Sequence, residues 1–311
     1  MIPASLTTIR DTSTAQAIRF LSLAESIKRN PFEYSTALKG KTILQFFVEN
    51  STRTRMSFET AVRKLGGVNV GFAAASSSIS KGETLLDTIQ TITQFGVDAI
   101  VMRHTSGGSP DLIAKVSKKS VINAGDGSHE HPSQALVDGF TLAEHWKVSL
   151  QGNTPFQGKT VLILGDTLHS RVARSNMHLL VKLGARVLIS GPKTLTIRNL
   201  ELFPNIEVVN FPDTILPEVD AVIALRIQTE RQSQGLIPSQ NEYRHFWGLT
   251  RKRAERLKAR AVVLHPGPMN RGVEIDPEVA DSEKSLVLKQ VENGVYVRMA
   301  ILAKLIGEVT P

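Results

Sequence analysis

The residues able to do chemistry fall into a few tight groups. In Phe47-Val48-Glu49-Asn50-Ser51-Thr52-Arg53-Thr54-Arg55, an apolar run ends, three hydroxyls and two guanidiniums follow, and an amphipathic stretch begins. The first backbone N–H groups of a helix and the positive end of its dipole make an anion site. Ser51, Thr52 and Thr54 add O–H donors, and Arg53 adds a bidentate fork. A single hydroxyl would read as an N-cap, but this cluster at a strand end points to phosphate. The glycines and the Gly-Lys-Ser/Thr ending of a P-loop are missing.

Five more groups sit at the ends of apolar runs. Met102-Arg103-His104 brings a second cation to the same edge. In His129-Glu130-His131-Pro132-Ser133-Gln134 the two histidines invite a zinc reading, but an i, i+2 pair in a loop before proline is poor ligand geometry. His131 donating to a carbonyl oxygen, with Gln134 close by, makes better chemical sense. In the second half, Arg171 and Arg226 follow runs 160–164 and 221–225 and suit carboxylates. After Gly165 the glycines of a dinucleotide turn are absent. His265-Pro266-Gly267-Pro268 is a stiff loop able to present backbone carbonyls.

Positioning these groups requires strands that deliver them to one edge. Apolar runs at 42–48, 68–72, 99–103 and 121–123 alternate with helical patterns at 14–28, 53–65, 84–94, 110–117 and 133–146, which predicts β-α units. The second half repeats this, with strands at 160–164, 186–189, 207–209, 221–225 and 261–264 and helices near 172–183 and 250–258. A last helix is expected at 294–309 from the spacing of Val295, Met299, Leu302 and Ile306. The polar, turn-rich stretch 149–158 separates the halves. The expected fold is therefore α/β, with two doubly wound parallel-sheet domains and a ligand in the cleft between them.

Composition removes other classes. The 311 residues contain no cysteine, so disulfides, thiolate catalysis and cysteine-ligated metals are excluded. The sequence carries no apolar run long enough to span a bilayer and no secretory pattern at residues 1–5. Lys and Arg total 37 against 29 Asp and Glu, a net charge of +8. The positives are dispersed, the densest patch (251–260) reading as one helix face, and aromatic residues are only 5%. That favours small anionic ligands over nucleic acid.

Six segments taken together resemble the aspartate/ornithine carbamoyltransferase family, on its aspartate side: Ser51-Thr52-Arg53-Thr54-Arg55, Lys81-Gly82-Glu83-Thr84, Met102-Arg103-His104, residues 123–134, Arg226-Ile227-Gln228-Thr229-Glu230-Arg231 and residues 265–275. The resemblance spans nearly the whole chain. It implies transfer of the carbamoyl group of carbamoyl phosphate to the α-amine of L-aspartate, giving N-carbamoyl-L-aspartate and phosphate, the committed step of pyrimidine (UMP) biosynthesis. It implies a carbamoyl-phosphate domain at 1–147, with a C-terminal helix (about 292–311) packed back onto it, and an aspartate domain at 148–291.

By the same resemblance Ser51, Thr52, Arg53, Thr54 and Arg103 surround the phosphate. Thr54, Arg103 and His131 face the carbonyl oxygen, Gln134 the carbamoyl nitrogen, and Gly267 and Pro268 contribute backbone carbonyls. Arg171, Arg226 and Gln228 bind aspartate. Lys81, accompanied by Ser77 or Ser78, reaches a neighbouring subunit's site in a homotrimer. Separately from the resemblance, Glu49, Arg171 and Arg231 are expected to form pairs between domains that favour a closed state. Gly267 stands where some relatives carry leucine. No metal or cofactor, no nucleic acid, no membrane and a cytoplasmic location are expected; a larger assembly with dihydroorotase or regulatory chains is left open. The ornithine branch is disfavoured, because its His-Cys-Leu-Pro loop is replaced by His265-Pro266-Gly267-Pro268.

Overall fold

Runs of buried β-branched and aliphatic residues separated by amphipathic helices give two all-parallel sheets. The computed structural model describes residues 3–73, 82–227, 236–237 and 239–307. The chain divides into two units, Met1–Phe140 with Val291–Pro311, and Thr141–Gln290.

The first unit contains β1 (Thr42–Phe47), β2 (Val68–Ala73), β3 (Ala99–His104) and β4 (Ser120–Asp126), in the order β2-β1-β3-β4. With them run α1 (Thr14–Arg29), α2 (Thr52–Lys64), α3 (Leu85–Thr93), α4 (Ser109–Val116) and α5 (Pro132–Trp146). Every residue of β4 and all but the first of β1 are buried, the signature of a parallel sheet covered on both faces. Leu44, Phe46, Ile100, Met102, Ile113 and Val121 pack into one cluster, each contributing roughly 1.5–3 kcal/mol on burial. Leu6 lies parallel against Ile122 at the β4 edge, with Leu6 N–H donating to Val121 O and Asn123 N–H to Leu6 O, both at 2.9 Å. At the other edge, Val68 and Val70 on β2 are exposed.

The second unit holds β5 (Thr160–Leu164), β6 (Arg186–Ser190), β7 (Ile206–Val208), β8 (Ala221–Ala224) and β9 (Val262–Leu264), in the order β7-β6-β5-β8-β9. Its helices are α6 (Arg171–Lys182), α7 (Gln240–Trp247), α8 (Arg251–Ala254) and α9 (Pro277–Ala280), and α10 (Val287–Ile306) follows.

Three expectations are corrected. The final helix begins at Val287, not 294. Its first two turns carry Leu288 and Val291 exposed, so they do not continue the apolar stripe that the sequence reading followed. The helix expected over 250–258 is one turn, α8. Its Arg253 is not on a solvated face: it is buried, pairs with Asp213 at 2.8 Å, and donates to the carbonyls of Arg244, His245 and Gly248 at the end of α7, the role of a helix C-terminal cation. Helix α7 itself went unpredicted, although Ser239 with Glu242 three residues on is a readable start signal; the Ser239 Oγ accepts from Glu242 N–H at 3.0 Å.

Both sheets wind outward from one strand and then return past it. That reversal lies between β1 and β3 in the first sheet and between β5 and β8 in the second. Strand C-terminal ends at such reversals are where open α/β sheets bind ligands.

Candidate active site

At the first reversal, Ser51 is the extended residue before α2 (φ −159°), and its hydroxyl makes no capping bond to the helix. Thr52, Arg53 and Thr54 form the opening turn, whose first N–H groups lack intrahelical partners. Thr54 is buried whereas Thr52 and Arg53 are exposed. Arg55 turns away, its Nε donating to Glu59 at 2.8 Å one turn on.

Arg103, near the end of β3, links three strand ends. Its backbone carbonyl accepts from Val48 N–H beyond β1 at 2.9 Å. Its Nη1 donates to Ala124 O of β4 at 3.2 Å, and its Nη2 to Glu49 at 2.6 Å. Arg103 and Glu49 are both largely buried, so the guanidinium is held by an acceptor on either side. Glu49, expected to pair between domains, thus engages Arg103 within its own unit.

The chain after β4 is shaped by buried Asp126. One carboxylate oxygen accepts from Asn123 Nδ2 (2.8 Å) and Glu130 N–H (3.0 Å), the other from Gly108 N–H (2.6 Å) and His129 Nδ1 (3.0 Å). This hydrogen bond raises the His129 pKa above its ordinary value; burial lowers that of His104 at the end of β3. Glu130 spends its carboxylate on the N–H groups of Ile9 (2.7 Å) and Arg10 (3.1 Å). Among the described residues no group of three His, Asp or Glu is arranged to hold a metal, and no helix is long and apolar enough to cross a membrane. His131 follows, buried, with Nδ1 3.4 Å from the Ser133 hydroxyl. Gln134, in the first turn of α5, donates Nε2 to Asp138 at 2.8 Å. Ser51, Thr52, Arg53, Thr54, Arg103, His131 and Gln134 therefore all follow or end strands at one edge of the first sheet.

The second reversal carries Arg171, buried at the start of α6 behind its N-cap Ser170, and Arg226, half-buried two residues past β8. Gly165, at the end of β5, has φ +125°, and a Cβ there would sit 2.9 Å from the Tyr243 hydroxyl and 3.2 Å from Leu225 Cβ. This glycine is thus explained by packing, without a dinucleotide.

Gly267 (φ 62°) and Pro268 lie in the loop after β9, joined by a cis peptide bond. Buried His265 organises this loop: Nδ1 accepts from Gly267 N–H at 2.8 Å, and Nε2 faces Glu274 at 3.2 Å. Because Nδ1 accepts, Nε2 is the donor. Glu274 also accepts from Asn270 N–H at 2.5 Å, and Asn270 Nδ2 donates to Ile227 O, beside Arg226, at 2.9 Å. The pair His265–Glu274 was missed in the sequence, where the loop showed only its prolines. Lys81, Ser77, Ser78, Gln228 and Arg231 lie outside the described residues.

Two family models match the chain: "Aspartate/ornithine carbamoyltransferase, carbamoyl-P binding domain" over residues 4–144, and its "Asp/Orn binding domain" over 157–305. The chain is 54% identical over 265 residues to a Myxococcus xanthus protein named aspartate carbamoyltransferase catalytic subunit, covering 85% of this chain and 86% of that one. A Gluconobacter oxydans protein of the same name is 46% identical, covering 98% and 96%. Among solved structures, aspartate transcarbamoylase from Trypanosoma cruzi in complex with carbamoyl aspartate and phosphate superposes with a TM-score of 0.84 at 28% identity, covering 98% and 96%. Ornithine carbamoyltransferase from Pyrococcus furiosus gives 0.86 at 26%, covering 99% and 98%.

Proposed function

The chain belongs to the aspartate/ornithine carbamoyltransferase family, and from that membership we propose the site chemistry of its reaction, the transfer of a carbamoyl group from carbamoyl phosphate to L-aspartate. The observation that carries aspartate over ornithine is 45–54% identity to relatives named for the aspartate enzyme. Two arginines, Arg171 and Arg226, at the reversal of the second sheet suit a dicarboxylate better than a substrate ending in an amine.

In this reading Ser51, Thr52, Arg53, Thr54 and Arg103 bind the phosphate. The amine of aspartate attacks the carbamoyl carbon. Thr54, Arg103 and His131 donate to the oxyanion of the tetrahedral intermediate, each worth on the order of 2–4 kcal/mol. The C–O bond to phosphate then breaks, and the departing phosphate takes the amine proton, so no protein base is required. Gln134, with the carbonyls of Gly267 and Pro268, accepts from the carbamoyl N–H groups. Gln228 and Lys81 complete the aspartate site, Lys81 from a neighbouring subunit.

A homotrimer is part of the proposal, resting on the reading of Lys81 as a residue that serves a neighbouring subunit's site. A cytoplasmic setting in pyrimidine biosynthesis belongs to it too, resting on the relatives named for the aspartate enzyme.

Phosphate release from carbamoyl phosphate, with L-aspartate or L-ornithine as acceptor, tests the reaction. Turnover should require aspartate and fall in Lys81→Ala and His131→Ala, and mixing these two variants should restore part of it. Turnover with ornithine alone would overturn the reading of Arg171 and Arg226.

A further inference from the structure

A primary carboxamide presents an acceptor at one end and a donor at the other, and its two flips have nearly the same shape. If Gln134 is to accept from a carbamoyl N–H, something must prevent the flip that would offer its NH2 group instead. We infer that Asp138 is the residue that does this, holding the Gln134 amide so that its oxygen, not its nitrogen, faces the carbamoyl group. The inference rests on the reading of Gln134 as the carbamoyl-nitrogen ligand.

Asp138 lies four residues after Gln134 on α5, hence one turn along the same face, and is fully buried. An ionised carboxylate only accepts, so the 2.8 Å contact between the two side chains assigns Nε2 to Asp138 and leaves Oε1 for the ligand. Arg298 of α10, which is itself buried, supplies an opposite charge that interacts with Asp138. Burial lowers the Arg298 pKa to about 10 and Asp138 raises it, so the guanidinium stays charged near neutrality.

Arg298 is anchored in turn. Its Nη1 donates to Ser57 Oγ at 3.1 Å and to Gly294 O at 3.0 Å, and its guanidinium carbon sits 5.2 Å from the Phe58 ring centroid. Gly294 makes the room, since a Cβ there would fall 2.5 Å from Nη1. Buried charged groups seldom return more stability than apolar residues of the same volume. Orientation of Gln134 gives buried Asp138 a use that stability does not.

Acetyl phosphate, which has a methyl in place of the amine, offers no N–H and isolates the effect. The test compares kcat/KM for carbamoyl phosphate with the inhibition constants of acetyl phosphate and inorganic phosphate in Q134A, D138N, Q134E and Q134E/D138N, with thermal melting to check folding. In D138N the Asn amide can donate to Gln134 Oε1 and stabilise the wrong flip. Because Asn can also accept from Nε2, the bias is removed rather than reversed, and carbamoyl phosphate should lose up to about tenfold, while acetyl phosphate and phosphate stay unchanged, since neither carries the N–H that the flip affects. In Q134E/D138N the Asn donates to one Glu oxygen and the other accepts from the carbamoyl group. The preference for carbamoyl over acetyl phosphate should then recover, relative to both single variants.

A D138N that weakens all three ligands alike, or keeps the wild-type preference, overturns the inference. If Q134A also keeps that preference, the reading of Gln134 itself falls. Loss in Q134A with retention in D138N refutes only the role of Asp138. Should D138N not fold, D138S serves, with a smaller loss of the same preference expected.

Discussion

Glu274 gives the sharpest separation between two substitutions of one side chain. One oxygen of its carboxyl accepts from His265 Nε2 at 3.2 Å and Asn270 N–H at 2.5 Å, and both Glu274 and His265 are buried. Glu274→Ala strands both donors away from water, at about 1–3 kcal/mol each, or about 2–6 kcal/mol together. Glu274→Gln keeps an acceptor of the same reach. Its new NH2 group falls where Oε2 makes no hydrogen bond, so the cost should stay near 1 kcal/mol. Urea unfolding at unchanged slope measures both. Since Gly267 N–H hangs on His265 Nδ1, Glu274→Ala should also raise the KM for carbamoyl phosphate. Equal losses in the two variants, or an alanine variant within about 1 kcal/mol of wild type, would refute the idea that this carboxyl holds the loop through its two accepted bonds.

Other expectations follow from single contacts. His131→Ala and Thr54→Ala should each lower kcat about 10²–10³-fold with little change in melting temperature, as loss of one oxyanion donor does; a kcat within a few-fold of wild type removes that residue from the proposed site. Gly294→Ala drives a methyl against Arg298 Nη1 and should destabilise by about 1–3 kcal/mol as overpacking does, read as a lower urea midpoint. His129, raised by its bond to Asp126, stabilises fully below its unfolded value near pH 6.5 and less as pH rises through its folded value; His129→Gln should flatten that decline in a melting series. His104, lowered by burial, acts in the opposite sense. Its contribution is present above the unfolded value and lost as pH falls through the folded one, so His104→Gln should protect the acid side.

The strands were legible because both sheets are parallel and buried on each face. Runs such as 42–48 and 160–164 therefore stand out as continuous apolar segments, and the observed β1 and β5 match them within a residue. The strand-end cations were legible for the same reason, since Arg103 and Arg226 break or follow those runs. Partnerships between distant residues were not. Nothing adjacent in sequence ties Glu274 to His265 or Arg298 to Ser57, and Gly294 inside α10 read as a helix start because the guanidinium that requires it belongs to a residue one turn later. Arg253 was misread for a related reason: an arginine bonded to three carbonyls of a neighbouring helix end has the same one-dimensional pattern as a solvated one.

The two edges of the first sheet differ in a way that bears on how copies of this chain can associate. Along β4, Leu6 occupies the hydrogen-bonding groups of Val121 and Asn123, while β2 ends the sheet at the other side with Val68 and Val70 exposed. A sheet with two open edges can add neighbours endlessly and grow into a fibre. One whose second edge is already occupied has a single valence, so strand-to-strand addition stops after one step and larger assemblies must form through helices and loops. Leu6 thereby acts as a chain terminator. Loosening it, for instance by Glu130→Ala, which removes the acceptor for the neighbouring Ile9 and Arg10, should expose that second valence and be read as larger species in light scattering.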